Sequence, residues 1–165
     1  MKKLYLFCFF FSLLGSVFAQ DFPPGWIVPL ELGQGFVKPK GGTELYLVAL
    51  QVSPQYTLVE GSLRAGATAG VFYNASKLQA LAGPRVSLKL LTGSKVLTAT
   101  SFNINILGEF LWGTKSQQLL GGGIGFETSN LLSLSLKVHS DLNLKTTWFQ
   151  TGLSFNLHRR KIEDL

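Results

Sequence analysis

The length, composition and charge of the chain limit what it can be. It has 165 residues, of which 46% are hydrophobic and 18 are glycine, and its formal net charge is +6. This length predicts a single domain. The basic residues are scattered and match no known nucleic-acid-binding motif, so we expect no nucleic-acid partner. Scattered cations suit contacts with anionic lipid head groups at a membrane surface.

The N-terminal segment has the three parts of a cleavable signal peptide. Two lysines precede an apolar run over 4–14, and small residues end at Ala19. That run is shorter than the about 20 apolar residues that a membrane-crossing helix needs. We therefore expect a signal peptide over 1–19 and an exported mature chain. The only cysteine, Cys8, would be removed with it, so the mature protein should contain neither disulfides nor a reactive thiol.

The rest of the chain has no apolar run of about 18 residues, which excludes a spanning helix but not spanning strands. Eight segments instead alternate apolar and polar residues with the period of two that is typical of strands. Within 131–140, for example, leucine and valine alternate with Ser133, Ser135 and Lys137. The eight segments are 26–37, 43–53, 56–73, 84–92, 100–112, 118–128, 131–140 and 146–157. A soluble sandwich with one solvated face would show the same alternation.

The links between these segments alternate in length. Compact links follow the second, fourth and sixth segments, the first of them at 53–55, and the longest link in the chain is 74–83. Outer-membrane barrels have short turns at one end and longer loops at the other. We therefore expect both termini at the short-turn end, and 74–83 to be a surface loop that offers a binding surface for a ligand.

The last segment carries a spaced pattern of four residues. Gln150, Gly152, Phe155 and Leu157 stand at positions 1, 3, 6 and 8 of an alternating stretch. This resembles the closing strand of bacterial outer-membrane β-barrel proteins, which the barrel-assembly machinery reads. The resemblance implies that these four residues form an assembly signal. It also implies an outer-membrane location, with outer-membrane lipid and the barrel-assembly machinery as partners.

Together these observations predict an all-β fold: an eight-stranded antiparallel up-and-down transmembrane β-barrel over 20–157, followed by a polar periplasmic tail over 158–165. Such a narrow barrel is filled by its own side chains. Charges of both signs would then face inward and pair, because an unpaired charge there carries a large desolvation cost. We expect a polar network in the lumen, rather than an open channel, formed by Arg64, Arg85, Lys89, Glu109, Glu127, Lys137 and His139.

Catalytic chemistry has one candidate location, where His139, Ser140 and Asp141 are consecutive. Some small outer-membrane barrels deacylate or acylate lipid A, so this location is considered by resemblance. Consecutive strand residues point to opposite faces, and a serine hydrolase needs its nucleophile, base and acid in mutual reach. We therefore expect no enzyme. The two histidines lack metal-ligand spacing, so no metal and no cofactor are expected.

Three functions remain open at this point. The leading one is an integral outer-membrane barrel with a structural or surface-interaction role. An alternative is a soluble exported binder of an apolar ligand, similar to the eight-stranded lipocalins. A second alternative is a barrel enzyme that modifies envelope lipid.

Overall fold

A computed structural model describes residues 24–75, 77–93, 102–128 and 131–158. The predicted signal peptide and residues 159–165 of the predicted tail lie outside this range. The strands are β1 (Trp26–Pro39), β2 (Leu45–Val52), β3 (Gln55–Val59), β4 (Leu63–Asn74), β5 (Lys77–Gly93), β6 (Phe102–Gly113), β7 (Gln118–Thr128), β8 (Leu132–Asp141) and β9 (Thr146–His158). Within the described ranges, no helix has the length and apolar character needed to cross a membrane.

Pairing between the first and last strands closes the sheet. β1 runs antiparallel to β9 from the Ile27↔His158 pair to the Pro39↔Thr146 pair. Every other neighbouring pair is also antiparallel. Closure matters because it leaves none of the nine described strands as a sheet edge with unpaired backbone groups.

β2 and β3 are two halves of one strand of this barrel. Both pair with β1 on one side and with β4 on the other, and they are separated only by Ser53 and Pro54. Proline has no backbone N–H and interrupts a ladder, but the Ala67 amide still donates to the Pro54 carbonyl at 3.1 Å. The barrel is therefore a closed antiparallel barrel of eight strands, as predicted.

The prediction of a link at 53–55 is wrong, and so is that of a single segment over 56–73, which the sequence indicated was long enough to bend at Glu60-Gly61 but not to reverse there. The chain reverses instead at 60–62, where the Ser62 amide donates to the Val59 carbonyl at 3.0 Å. Gly61 has φ of 74° at this turn, a conformation that glycine adopts without a steric penalty. The predicted third segment is thus two strands, and the count of eight is preserved because the interrupted strand counts once.

The prediction that 74–83 is a surface loop is also wrong. β5 begins at Lys77, which pairs with Asn74 of β4, so only residues 75 and 76 link the two strands. The links at this end of the barrel, which we call the hairpin end, are 40–44, 75–76, 114–117 and 142–145. All four are short, so the predicted long loop and the ligand-binding surface placed on it lose their structural basis.

The interior of the barrel changes character along its axis. At the hairpin end it holds a cluster of buried apolar side chains that we call the apolar plug: Val37, Leu47, Ala49, Phe72, Leu81, Leu111, Leu119 and Trp148. From the middle of the barrel to the opposite end, which contains the first residue of β1 and the last of β9, the buried side chains are mostly polar or charged. We call that opposite end the terminal end.

Candidate functional site

The outer wall of the barrel is apolar. Along β8, for instance, Leu134, Leu136 and Val138 point outward and are each about half exposed, whereas the alternate residues are buried. The same arrangement holds along β1, where Leu30 and Leu32 point outward. Soluble monomers rarely expose a continuous apolar surface of more than a few hundred square ångströms, so a wall of this kind indicates an apolar surrounding.

Aromatic side chains form a belt around each end of this wall. The hairpin-end belt consists of Phe36, Tyr46, Tyr73, Phe110, Trp112 and Phe149, and the terminal-end belt of Trp26, Tyr56, Phe102, Phe126 and Phe155. Trp26 and Phe36 are ten residues apart on β1. At a rise of about 3.3 Å per residue and a tilt of about 40°, this separation is about 25 Å along the barrel axis. That is about the height of the apolar band of outer-membrane barrels.

Two other aromatic residues at the hairpin end lie inside the barrel. Phe72 and Trp148 are 1% and 3% exposed and belong to the apolar plug. Their ring centroids are 4.8 Å apart with planes at 72°, which is the edge-to-face arrangement that aromatic pairs favour. The belts are therefore formed without them.

A cluster of charged side chains fills the middle of the interior. The ammonium of Lys137 lies 2.6 Å from Glu31 Oε1 and donates to Gln51 Oε1 at 2.9 Å. The guanidinium of Arg85 lies 3.0 Å from Glu109 Oε1. We call Glu31, Arg85, Glu109, Lys137 and His139 the central charge cluster. All five side chains are at most 5% exposed.

Cross-contacts make this cluster one connected network. His139 Nε2 lies 2.8 Å from Glu109 Oε2, Lys137 lies 3.9 Å from the same oxygen, and Arg85 lies 3.8 Å from Glu31 Oε2. The cations of Arg85 and Lys137 thus face the carboxylates of Glu31 and Glu109. Buried charges of this kind are tolerated only when each is paired, so the connected arrangement explains how these side chains can occupy a closed interior.

A second ion pair lies nearer the terminal end. Arg64 NH1 is 3.1 Å from Glu127 Oε2, and both side chains are almost fully buried. The nearby Ser87 hydroxyl donates to Gln55 Oε1 at 2.6 Å. The cavity that these four residues help to line has a volume of about 20 Å³, which is room for about one water molecule. Side chains therefore fill this part of the lumen instead of leaving a pore.

The structure thus brings together six of the seven charged residues that the sequence assigned to the lumen, in the central charge cluster and the second ion pair. The seventh, Lys89, is half-buried on the inward face of β5. Sequence reasoning missed Glu31 and Gln51. Each is a polar residue between two apolar neighbours inside a segment already assigned to a strand, so the same alternation could have found them.

The four residues of the predicted assembly signal divide between the two faces of β9. Gln150 and Gly152 point inward and are buried, whereas Phe155 and Leu157 point outward and are 53% and 62% exposed. Gly152 has a structural reason to be glycine. A Cβ at this position would lie 2.6 Å from Glu31 Cδ and 2.7 Å from Ser135 Oγ, so the space is already taken by the central charge cluster. Their role in assembly stays a prediction.

The consecutive residues His139, Ser140 and Asp141 do not form a catalytic triad. Ser140 is exposed on the outer wall, whereas His139 and Asp141 are buried on the inward face. Asp141 caps the following hairpin, since its Oδ1 accepts from the backbone amides of Asn143 and Leu144 at 3.0 and 2.9 Å. Among the described residues, no cluster of three or more potential ligands could hold a metal ion.

Comparisons with known proteins yield distant structural neighbours. No protein-family model matches the chain, and a search of curated proteins finds no match. A chain from the de novo design of transmembrane β-barrels is 14% identical with a TM-score of 0.49, and covers 84% of this chain and 100% of its own. A second de novo designed protein, solved by solution NMR, is 18% identical with a TM-score of 0.46, and covers 86% and 100%. The fold described above therefore rests on the strand pairing of this chain itself.

Proposed function

We propose that this chain is an integral outer-membrane β-barrel protein with a structural or surface-interaction role, exported through a signal peptide that is cleaved after Ala19. The observation that carries the proposal is the outer wall, which is apolar over a height of about 25 Å and bounded by two aromatic belts. In lipid this wall is solvated by hydrocarbon. In water it would be a large aggregation-prone surface.

The closed sheet and filled lumen support the same function. Every spanning segment must satisfy its backbone groups internally, because the hydrocarbon core offers no hydrogen-bonding partners. Pairing of β1 with β9 meets this requirement. The central charge cluster and the apolar plug occupy the lumen, which argues for anchoring and presentation of the barrel ends over solute passage.

The two alternative functions have less support. A lipocalin-like binder would need a polar outer surface and an apolar central cavity, whereas this barrel has an apolar wall and a charged centre. A lipid-modifying serine hydrolase built on His139 and Ser140 would need both side chains on one face, and they lie on opposite faces. Absence of an enzymatic role remains part of the proposal.

The proposal can be tested by envelope fractionation combined with gel electrophoresis of unboiled and boiled samples. We expect the protein in the outer-membrane fraction, with a mobility shift on boiling that reports a compact detergent-resistant barrel. Recovery from the soluble periplasm without a shift would contradict membrane insertion and favour the ligand-binding alternative.

Single cysteines sharpen this test, because the only native cysteine is Cys8 in the predicted signal peptide. Leu136→Cys stands in the middle of the outer wall, and Lys145→Cys stands in an exposed hairpin. In membranes, a water-soluble maleimide should label the second variant and not the first, and both after denaturation. Comparing intact with lysed cells would also show which side of the membrane the hairpin end faces.

A further inference from the structure

The hairpin end contains a cavity of about 200 Å³ between the apolar plug and two of the hairpins. The rings of Phe72 and Trp148 form its floor. Lys115 of the 114–117 hairpin and Leu144 of the 142–145 hairpin form its rim. The cavity is therefore apolar at the bottom, and its opening carries the cation of Lys115 beside the apolar Leu144.

The two hairpins that form the rim are tied to each other and to the barrel. Asn143 Nδ2 donates to the Ser116 carbonyl at 2.6 Å, and the Leu142 amide donates to the Gln118 carbonyl at 2.8 Å. Residues that are already held in place before binding lose less conformational entropy when a ligand enters the cavity that they line. This rim is thus built like a preformed binding site.

Three amide side chains line the wall of the cavity: Asn74, Gln79 and Gln117. Asn74 and Gln117 are only 8% and 6% exposed. Within the described part of the chain, Asn74 Nδ2, Gln79 Oε1 and Gln117 Oε1 are buried without a hydrogen-bond partner. A buried polar group without a partner costs about 1–3 kcal/mol. Two such groups on nearly fully buried side chains at one cavity point to a ligand with a polar head.

The charge at the opening of the cavity indicates which charge the polar head group of the ligand carries. Lys115 is the charged residue that lines the cavity. The hairpin end as a whole is basic, since its exposed charged residues among those described are Lys38, Lys40, Lys77, Lys115, Lys145 and Glu44. A cationic rim raises the local concentration of anions. The head group should therefore be anionic.

We propose that this cavity binds a small amphipathic carboxylate, with its hydrocarbon chain on the rings of Phe72 and Trp148. Its carboxylate accepts hydrogen bonds from Lys115 and from Asn74 Nδ2, the orphaned donor of the wall. Gln79 and Gln117, whose orphaned atoms are acceptor oxygens, donate to it only after their amides turn to present N–H groups. The volume is below the about 300 Å³ at which drug-sized pockets begin, so the chain of the ligand is short. The inference rests on the proposed function, since it is tested on the barrel in lipid, and the heat-dependent gel shift reports failure of the membrane barrel separately from failure of the cavity.

Fluorescence of Trp148 tests this directly, because the floor of the cavity is a tryptophan. In a Trp26→Phe/Trp112→Phe background, Trp148 is the only tryptophan left. The probe is 8-bromooctanoate, whose bromine quenches a ring in contact with it, added to the full-length barrel in nanodiscs. We expect saturable quenching of Trp148. The matched alcohol, 8-bromooctanol, should bind about tenfold more weakly because it lacks the charge.

Two lysine variants locate the head group. Lys115→Glu should weaken binding of the carboxylate about fivefold, the upper range for one exposed ion pair. Lys145→Glu makes the same charge change in the 142–145 hairpin, at a residue that does not itself line the cavity, and should weaken binding less than about twofold. Retention of the heat-dependent gel shift shows that each variant is folded.

Three results would overturn the proposal. Quenching that rises linearly without saturation would show only partition of the probe into lipid. Equal binding of the acid and the alcohol would show that the cavity does not recognise the carboxylate group. Equal effects of the two lysine variants would place the anion at the surface and not in the cavity. Asn74→Leu changes a buried residue of the cavity wall and should weaken binding of the carboxylate about tenfold. If Asn74→Leu does not fold, the affinity of Lys115→Glu is the deciding measurement.

Discussion

The two parts of the barrel interior are held together by different interactions. In the apolar plug, side chains such as Phe72 and Leu111 pack without polar partners, so their stabilisation grows with buried area and does not depend on one neighbour. In the central charge cluster, the buried charges of Lys137 and Glu31 are tolerated only because the two side chains form an ion pair. The plug should therefore tolerate conservative substitutions, whereas the cluster should tolerate removal of pairs and not of single members.

The largest expected effect is loss of one charge from the cluster. Lys137→Met keeps the length of the side chain and leaves Glu31 and Glu109 facing only Arg85 and His139. We expect the free energy of unfolding to fall by about 4 kcal/mol, as for other broken buried pairs. Guanidinium titration of the protein in lipid vesicles, followed by tryptophan fluorescence, measures it.

The double variant Glu31→Gln/Lys137→Met is the control for that experiment. It removes one charge of each sign and leaves Arg85 paired with Glu109. It should therefore be more stable than Lys137→Met alone by at least about 1 kcal/mol. Equal losses in the single and double variants would show that packing, and not charge balance, holds this part of the interior.

A somewhat smaller loss is expected in the plug. Phe72→Ala removes a ring that is 1% exposed and should cost about 3 kcal/mol in the free energy of unfolding, measured by the same titration. Phe72→Leu should cost less than about 1.5 kcal/mol, because another large apolar side chain can fill much of the space. If Phe72→Leu cost as much as Phe72→Ala, the edge contact with Trp148 would matter more than buried area.

The same contrast explains which parts of the fold could be predicted from the sequence. Where the inside is polar, each strand alternates strongly, and β8 was predicted to within one residue because Ser135 and Lys137 face inward between outward leucines. Where the inside is apolar, alternation fades. At the start of β5, Leu78 points outward and Leu81 inward, so both faces read as apolar and this stretch was predicted to be a loop.

Two other features could not be read from local sequence. Ser53 and Pro54 have the composition of a turn, but pairing with β1 and β4 on both sides keeps β2 and β3 in line. Alternation indicates that Lys137 faces inward, but it does not indicate which residue forms an ion pair with it. Glu31 is 106 positions away along the chain, and only the register of the closed barrel brings the two together.

Gly152 offers a test of how tightly side chains pack beside the central charge cluster. Gly152→Ala would push a methyl group into the space of the Glu31 carboxylate, and we expect a loss of about 2 kcal/mol in the same unfolding titration. Gly108 is the matched control, since it lies on the outer wall of β6 and an added Cβ would meet nothing within 4 Å. Gly108→Ala should change stability by less than about 0.5 kcal/mol. Similar losses in both variants would point to a general cost of replacing strand glycines.

The smallest effect is expected where an ion pair lies outside the barrel. Lys38 and Glu44 are 3.6 Å apart with both side chains more than half exposed, so Glu44→Gln should change the free energy of unfolding by less than about 0.5 kcal/mol. Glu127→Gln breaks a pair of similar distance that is almost fully buried and should cost several times more. Added salt distinguishes the two pairs further, in a titration with urea, because guanidinium chloride is itself a salt that already screens exposed charges. Exposed charges are screened over about 10 Å at 0.1 M ionic strength, so added salt should erase the small effect of Glu44→Gln and leave that of Glu127→Gln unchanged. A loss for Glu127→Gln that disappears with salt would mean that water reaches this end of the lumen.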